Sequence, residues 1–311
     1  MTLIELIEAS ARRLTDSKVS FGHGTTNAFD EAAWLVLWRL GLPLDTALDA
    51  LEDNPESKAN MPVTPADSAQ AATLLEARIT SRKPAAYLTR EAWLQGMAFY
   101  VDERAIVPRS LIAELLVDGG LDYWLSEKTT RVLDLCTGNG SLAVIAATVY
   151  PEVVVTGSDL STGALEVASI NVKKYALQDR VALVASDGFQ STALQQRGPF
   201  DLIVCNPPYV NAQSMFELPP EYRAEPALAL AGGTDGMDFI RTLFAEAHAH
   251  MTDGGVLVLE IGNEHGHFAS AFPELEVVWL ETSAGEDQVL LVTQEALLAQ
   301  LGAAAPGRVG A

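Results

Sequence analysis

Cysteine is nearly absent: 311 residues hold only Cys136 and Cys205. Two thiols cannot build a disulfide framework, so the sequence is expected in a reducing compartment, the cytoplasm. Long apolar runs are missing too. No uninterrupted segment approaches the roughly 20 residues that span a bilayer, and the start, Met1-Thr2-Leu3-Ile4-Glu5, has no basic stretch before its apolar residues. Neither a membrane span nor a signal peptide is expected. Positive charge is sparse: 20 Lys and Arg stand against 41 Asp and Glu, a net charge of −21, and basic residues never run longer than two. Nucleic acid is bound through a basic footprint that displaces counterions, so no direct DNA binding is expected. An acidic surface attracts basic partners, although the same charge also serves solubility. Histidines number five. His248 and His250 lie two apart on an expected helix and face apart; His265 and His267 flank a glycine in an expected loop with no cysteines to complete a set. No metal is expected.

What is present suits a chain of two domains. With 49% hydrophobic residues the chain can bury a large core. Residues 1–84 read helical. Leu3, Ile4, Leu6 and Ile7 recur at helical spacing, Phe29–Leu40 repeats the pattern before Gly41 and Pro43, and Thr64-Pro65-Ala66-Asp67 is a helix start. His23, in a loop between helices, is expected to be bonded locally. Residues 85–108 mix aromatic and polar residues around Gly96, which reads as a β-hairpin linker, and Ser110 is expected to cap the helix after it. From 109 to 300 strands and helices alternate, the signature of a parallel, doubly wound sheet. The expected elements are Arg131–Leu135, Ser141–Val149, Val153–Gly157, Thr162–Tyr175, Val181–Ala185, Asp201–Cys205, Met237–Met251 and Val256–Ile261, then an antiparallel pair, Val277–Glu281 and Val289–Thr293. Residues from Gly302 onward are small and read as a flexible tail, residues 301–311 lying beyond the second domain.

Two stretches carry chemistry. Strand residues Arg131–Leu135 run into Cys136-Thr137-Gly138-Asn139-Gly140, a turn that lets backbone approach a ligand closely. Asp159 ends the next strand, where a carboxylate can accept both hydroxyls of a ribose; Asp187 ends the third and can accept from an adenine amino group. Gly138-x-Gly140-x-x-Ala143 taken alone also fits a dinucleotide fingerprint, which leaves a nicotinamide-dependent oxidoreductase open on that motif. The second stretch, Asn206-Pro207-Pro208-Tyr209, closes the apolar run Asp201–Cys205 at the strand end where open α/β sheets bind ligands. The Asn206 side-chain carbonyl and the Pro207 backbone carbonyl are acceptors, and Tyr209 offers a flat face. Two acceptors beside an aromatic plate suit a planar NH2 group.

Asp134 before the glycines suits a cationic ligand better than a pyrophosphate. Together with Asp159 and Asn206–Tyr209 it resembles the S-adenosylmethionine-dependent methyltransferases, with Cys136 standing where their pattern has its first glycine. The resemblance implies a Rossmann-like α/β fold, S-adenosyl-L-methionine as cofactor, and Asp134, Cys136, Thr137, Gly138, Gly140, Asp159, Asp187 and Asn206 around it. Ala86–Thr89, Phe99–Arg104 and Val107–Ser110 with Glu114 resemble the protein-glutamine N(5)-methyltransferases. Gly22-His23-Gly24-Thr25 with Asn27 and Asp30-Glu31-Ala32, and Leu218-Pro219-x-Glu221-Tyr222-Arg223-x-Glu225-Pro226, are similar to the branch that modifies large-subunit ribosomal protein L-three. The other branch acts on release factors and usually carries a second proline where this chain has Ser110. The resemblance implies Asn206, Pro207 and Tyr209 as catalytic residues, Pro208, Arg109 and Glu114 as further substrate contacts, and a basic ribosomal protein as partner. Glu221, Arg223 and Glu225 read equally as a solvated loop or a peptide-binding segment.

Overall fold

The computed structural model describes residues 1–49 and 57–304. Three capped helices open the chain. Helix α1, Leu3–Asp16, begins in a capping box: Thr2 Oγ1 accepts the Glu5 N–H while the Glu5 carboxylate accepts the Thr2 N–H. Asn27 caps α2, Ala28–Leu40, which ends at left-handed Gly41, and Thr64 caps α3, Pro65–Ser81. Their apolar faces meet in one cluster that includes Leu3, Ile7, Leu35 and Leu75, and that continues through Tyr87, Ala92, Val101 and Val107. The linker is therefore packed into the N-terminal core.

That linker differs from the expected long hairpin. It starts as a short helix, α4, Ala85–Thr89, and only then forms a hairpin, β1 Ala92–Leu94 with β2 Met97–Phe99. A five-residue helix is too short to show a period, and its buried Tyr87, whose hydroxyl donates to the Ala105 carbonyl, reads locally as a strand aromatic. Helix α5, Ile112–Val117, follows. Ser110 Oγ accepts the Ile112 N–H at 3.2 Å, and it also donates to Glu260.

The second unit alternates β3 Arg131–Leu135, α6 Ser141–Val149, β4 Val154–Asp159, α7 Thr162–Lys174, β5 Val181–Ala185, α8 Thr192–Gln195 and β6 Phe200–Cys205. After α9 Ala212–Glu217, α10 Pro220–Arg223 and α11 Asp238–Glu246 come β7 Met251–Glu260, α12 His265–Ala271, β8 Val278–Thr282, β9 Gly285–Thr293 and α13 Gln294–Ala304. The sheet order is β5-β4-β3-β6-β7-β9-β8; the first five strands are parallel, and β9 runs antiparallel to both of its neighbours. Helices cover both faces, so the parallel strands are apolar at consecutive positions. Val132, Leu202, Val204 and Val256 enter one apolar cluster, while Leu133, Leu135, Ile203 and Leu257 enter the other.

Several boundaries move. The expected helix to Met251 stops at Glu246, a 3-10 turn carries His248 and His250, and β7 starts at Met251 despite Gly254 and Gly255. His265 and His267 lie on α12, where a loop was expected; His267 Nδ1 lies 2.5 Å from Glu264. Helix α13 extends through Gly302 to Ala304, where a flexible tail was expected, and residues 305–311 of that expected tail lie outside the described ones. Among the described residues no helix is long and apolar enough to cross a membrane.

Candidate active site

Strand order reverses between β3 and β6, because the chain adds β4 and β5 on one side and β6 and β7 on the other. The two strands are paired to their ends, Leu135 opposite Cys205. Loops leaving neighbouring strands at such a reversal diverge and open a crevice. Here the cleft, about 820 Å³ counting the solvent space at its mouth, is lined by Cys136, Gly138, Asp159, Asp187, Asn206 and Pro208, among others.

The turn after β3 is shaped by alternating left-handed residues, Cys136 at φ 63°, Gly138 at 56° and Gly140 at 80°. Cys136 thus adopts a left-handed conformation that glycine takes freely, at a cost of about 1–2 kcal/mol for a residue with a Cβ. Gly140 is required for packing as well: a Cβ there would come within 2.9 Å of Ala168 Cβ on α7. Asp134 does not line the cleft. It is buried beneath the turn, where its Oδ2 accepts from Thr137 Oγ1 at 2.5 Å and from the Ala143 N–H at 2.9 Å, while Oδ1 has no partner. Burial, opposed by those two bonds and reinforced by Asp159, pushes its carboxyl up to about 7. Thr137 and Gly140 likewise build the turn from behind, and neither lines the cleft.

Asp159 does face the cleft. Its carboxylate accepts the Gly138 N–H at 2.9 Å and the Ser161 N–H at 2.8 Å, so the strand-end acid holds both the glycine turn and the start of α7. Burial raises its pKa, and those N–H groups oppose the shift. The spare lone pairs of a carboxylate remain for ligand hydroxyls. Asp187 is exposed at the rim. Ser158, whose buried hydroxyl has no partner, and Leu160, 52% exposed, also line the cleft and carry no motif. A large apolar residue following a strand-end acid was the only available signal.

On the other wall, the Asn206 side chain has no hydrogen-bond partner among the described residues, and Pro208 lies beside it. Pro207 is buried, and Tyr209 turns from the cleft lining to place its hydroxyl 3.3 Å from Glu260. Burial and the Glu260 charge keep the phenol protonated.

Two substrate contacts expected from the resemblance do not line the cleft. Glu114 accepts the Ser283 N–H at the β8–β9 turn, outside the cleft. Arg109 is engaged with Glu225. Glu221 and Glu225, read as solvated or peptide-binding, are neither: both are buried and tie the segment after β6 to the N-terminal unit. Glu221 pairs with Arg78 at 3.2 Å and Arg82 at 2.7 Å, and Arg78 also pairs with Glu31 at 2.8 Å. His23, 1% exposed, lies 3.3 Å from Glu225 and against the Tyr222 ring, so its partner is distant in sequence, not local. The two motifs that mark the L-three branch are in contact. Of Glu221, Arg223 and Glu225, only Arg223 is exposed, donating to the Phe216 carbonyl.

Comparison with known proteins bears on the same residues. Residues 116–218 match the methyltransferase small domain. Over 298 residues the chain is 50% identical to the ribosomal protein uL3 glutamine methyltransferase of Bordetella pertussis, covering 95% of this chain and 96% of that one. The chain belongs to the uL3 glutamine methyltransferase family. The Burkholderia pseudomallei protein of the same name is 47% identical, with 97% of each chain covered. Among solved structures, the hMettl16 catalytic domain in complex with MAT2A 3'UTR hairpin 1 superposes with a TM-score of 0.51 at 14% identity, covering 76% of this chain and 83% of that one, which shows a shared fold. The cofactor of this methyltransferase is S-adenosyl-L-methionine. The cleft fits it: Asp159 keeps acceptors for ribose hydroxyls, Ser158 has an unpartnered hydroxyl, and Leu160 offers apolar surface.

Proposed function

We propose that the chain methylates the side-chain amide nitrogen of a glutamine in ribosomal protein uL3, with Asn206–Tyr209 as the loop that holds the amide. The observation that carries this reading is Asn206, an unpartnered amide at the end of β6 in the same cleft as Asp159. When bound in that cleft, S-adenosylmethionine supplies a methyl group on a positively charged sulfur. An amide nitrogen is a poor nucleophile because its lone pair is delocalised. Asn206 Oδ1 and the Pro207 carbonyl accept its two N–H groups, fix its direction, and favour positive charge developing on it. Tyr209, whose ring lies outside the cleft lining, backs the loop that holds the amide. Asp159 and Asp187 hold the cofactor's ribose and adenine, while Asp134 and Thr137 keep the turn in shape.

The substrate is named by the curated relatives and agrees with the charge: a chain at −21 attracts a basic ribosomal protein and repels DNA. Transfer of labelled methyl groups to purified uL3, with release factor and duplex DNA as parallel substrates, tests the reading. Incorporation into uL3 at glutamine is expected. Preferential labelling of release factor or DNA would overturn it.

A further inference from the structure

Glu260, the last residue of β7, is 3% exposed, yet no motif marks it. Its carboxylate collects three donors from two other segments. Oε2 accepts Ser110 Oγ–H at 2.6 Å and the Leu111 N–H at 2.9 Å; Oε1 accepts the Tyr209 hydroxyl at 3.3 Å. The first two belong to the stretch that joins the N-terminal unit to α5, and the third to the loop after β6. The Tyr209 contact is the longest of the three.

The other sides of Tyr209 are set by close approach. A Cβ on Gly262 would lie 2.6 Å from the ring, and one on Gly236 would lie 2.2 Å from the Tyr209 carbonyl oxygen. The glycines leave room for the ring and the backbone without holding the ring's polar end. That end is held by Glu260 alone among the described residues. A buried carboxylate is a costly anchor when packing alone is wanted, since an apolar group would serve.

We propose that Glu260 is the positioning residue for Tyr209, fixing the orientation of the ring in the loop that carries Asn206 and tying it to Ser110 and Leu111. This rests on the reading that Asn206–Tyr209 holds the target amide. A misplacement of about 1 Å in such a group costs on the order of 100-fold in rate.

The test compares Glu260→Gln, Tyr209→Phe and the double variant in the full chain. The glutamine keeps the shape and retains an oxygen for Ser110 and Leu111, while its NH2 can only donate to the phenol oxygen, so Tyr209 loses its charged acceptor and its proton must point elsewhere. For each single variant kcat falls about 10- to 100-fold, while KM for uL3 changes less and calorimetric affinity for S-adenosylmethionine is unchanged. The double variant is little worse than either one, because the two residues act as one unit. Unchanged kcat in Glu260→Gln, or losses that multiply in the double variant, would overturn the proposal. Where Glu260→Gln does not fold, Tyr209→Phe decides, and full activity in it overturns the proposal. Asn206→Ala run alongside separates the two ideas: if that variant stays active, the loop reading itself fails.

Discussion

Arg109 and Glu225 face each other as a two-pronged ion pair, Nη1 to Oε1 at 2.7 Å and Nη2 to Oε2 at 2.8 Å. Glu225 also accepts the Val107 N–H at 2.9 Å and lies beside His23. One carboxylate therefore joins the loop of the N-terminal helices, the linker, and the segment that follows the candidate catalytic loop. The fork matches guanidinium to carboxylate geometrically, which a lysine could not do.

Removing that carboxylate leaves a partly buried guanidinium without its partner. Glu225→Ala is expected to cost about 3–5 kcal/mol, read by urea unfolding, with loss of uL3 methylation as the two units loosen. A variant within measurement error of the parent would show that the pair contributes no net stability.

The same residue sets an acid limit. Burial raises the Glu225 pKa, but His23 and Arg109 outweigh it and hold the carboxyl at about 2, below its ordinary 4.5. A depressed acid contributes stability that is full above about pH 4.5 and lost as pH falls toward 2. The loss is on the order of 3 kcal/mol. Thermal melts from pH 5 to 2 should show it in the parent and show less of it in Glu225→Gln.

Asp134 works in the opposite direction. Its carboxyl is raised to about 7 from 3.8, chiefly by burial, so ionisation is penalised in the folded state only. The penalty is absent below about pH 4, grows as pH rises, and is complete above about pH 7. Asp134→Asn removes it. The stability of that variant relative to the parent should rise by on the order of 4 kcal/mol between pH 4 and 8. A pH-independent difference in melting behaviour would refute the assignment of the shift to this residue.

Asn206→Ala should lower turnover about 100- to 1000-fold while calorimetric affinity for S-adenosylmethionine stays near the parent value, because Asn206 is assigned chiefly to the target amide. Near-normal turnover would remove it from the catalytic machinery.

Asp159→Ala should weaken S-adenosylmethionine binding about 10-fold or more, since charge-assisted hydrogen bonds to hydroxyls each contribute about 1.5–3 kcal/mol. Part of the loss comes from the glycine turn, whose Gly138 N–H would lose its acceptor. Unchanged affinity by calorimetry would sink the ribose assignment.

The sequence by itself determined whatever a local period or a local cap can encode. Strands buried on both faces must be apolar at consecutive positions, so Arg131–Leu135 and Asp201–Cys205 were legible, as were the helices capped by Asn27 and Thr64. The acid at the end of β4 and the Asn206–Tyr209 turn were legible because each sits at a strand end, where binding residues belong in such a sheet. Tertiary structure alone decided who partners whom. Arg109 and Glu114 are charged residues near the linker in sequence, and nothing local separates a substrate contact from an internal ion pair. Glu221, Glu225 and Glu260 are buried acids whose cations and donors come from distant segments, and burial of a charge is possible only once those partners converge. Cys136 is the plainest case. Its left-handed backbone at φ 63° runs against the preference of a residue with a Cβ, and only the surrounding turn imposes it.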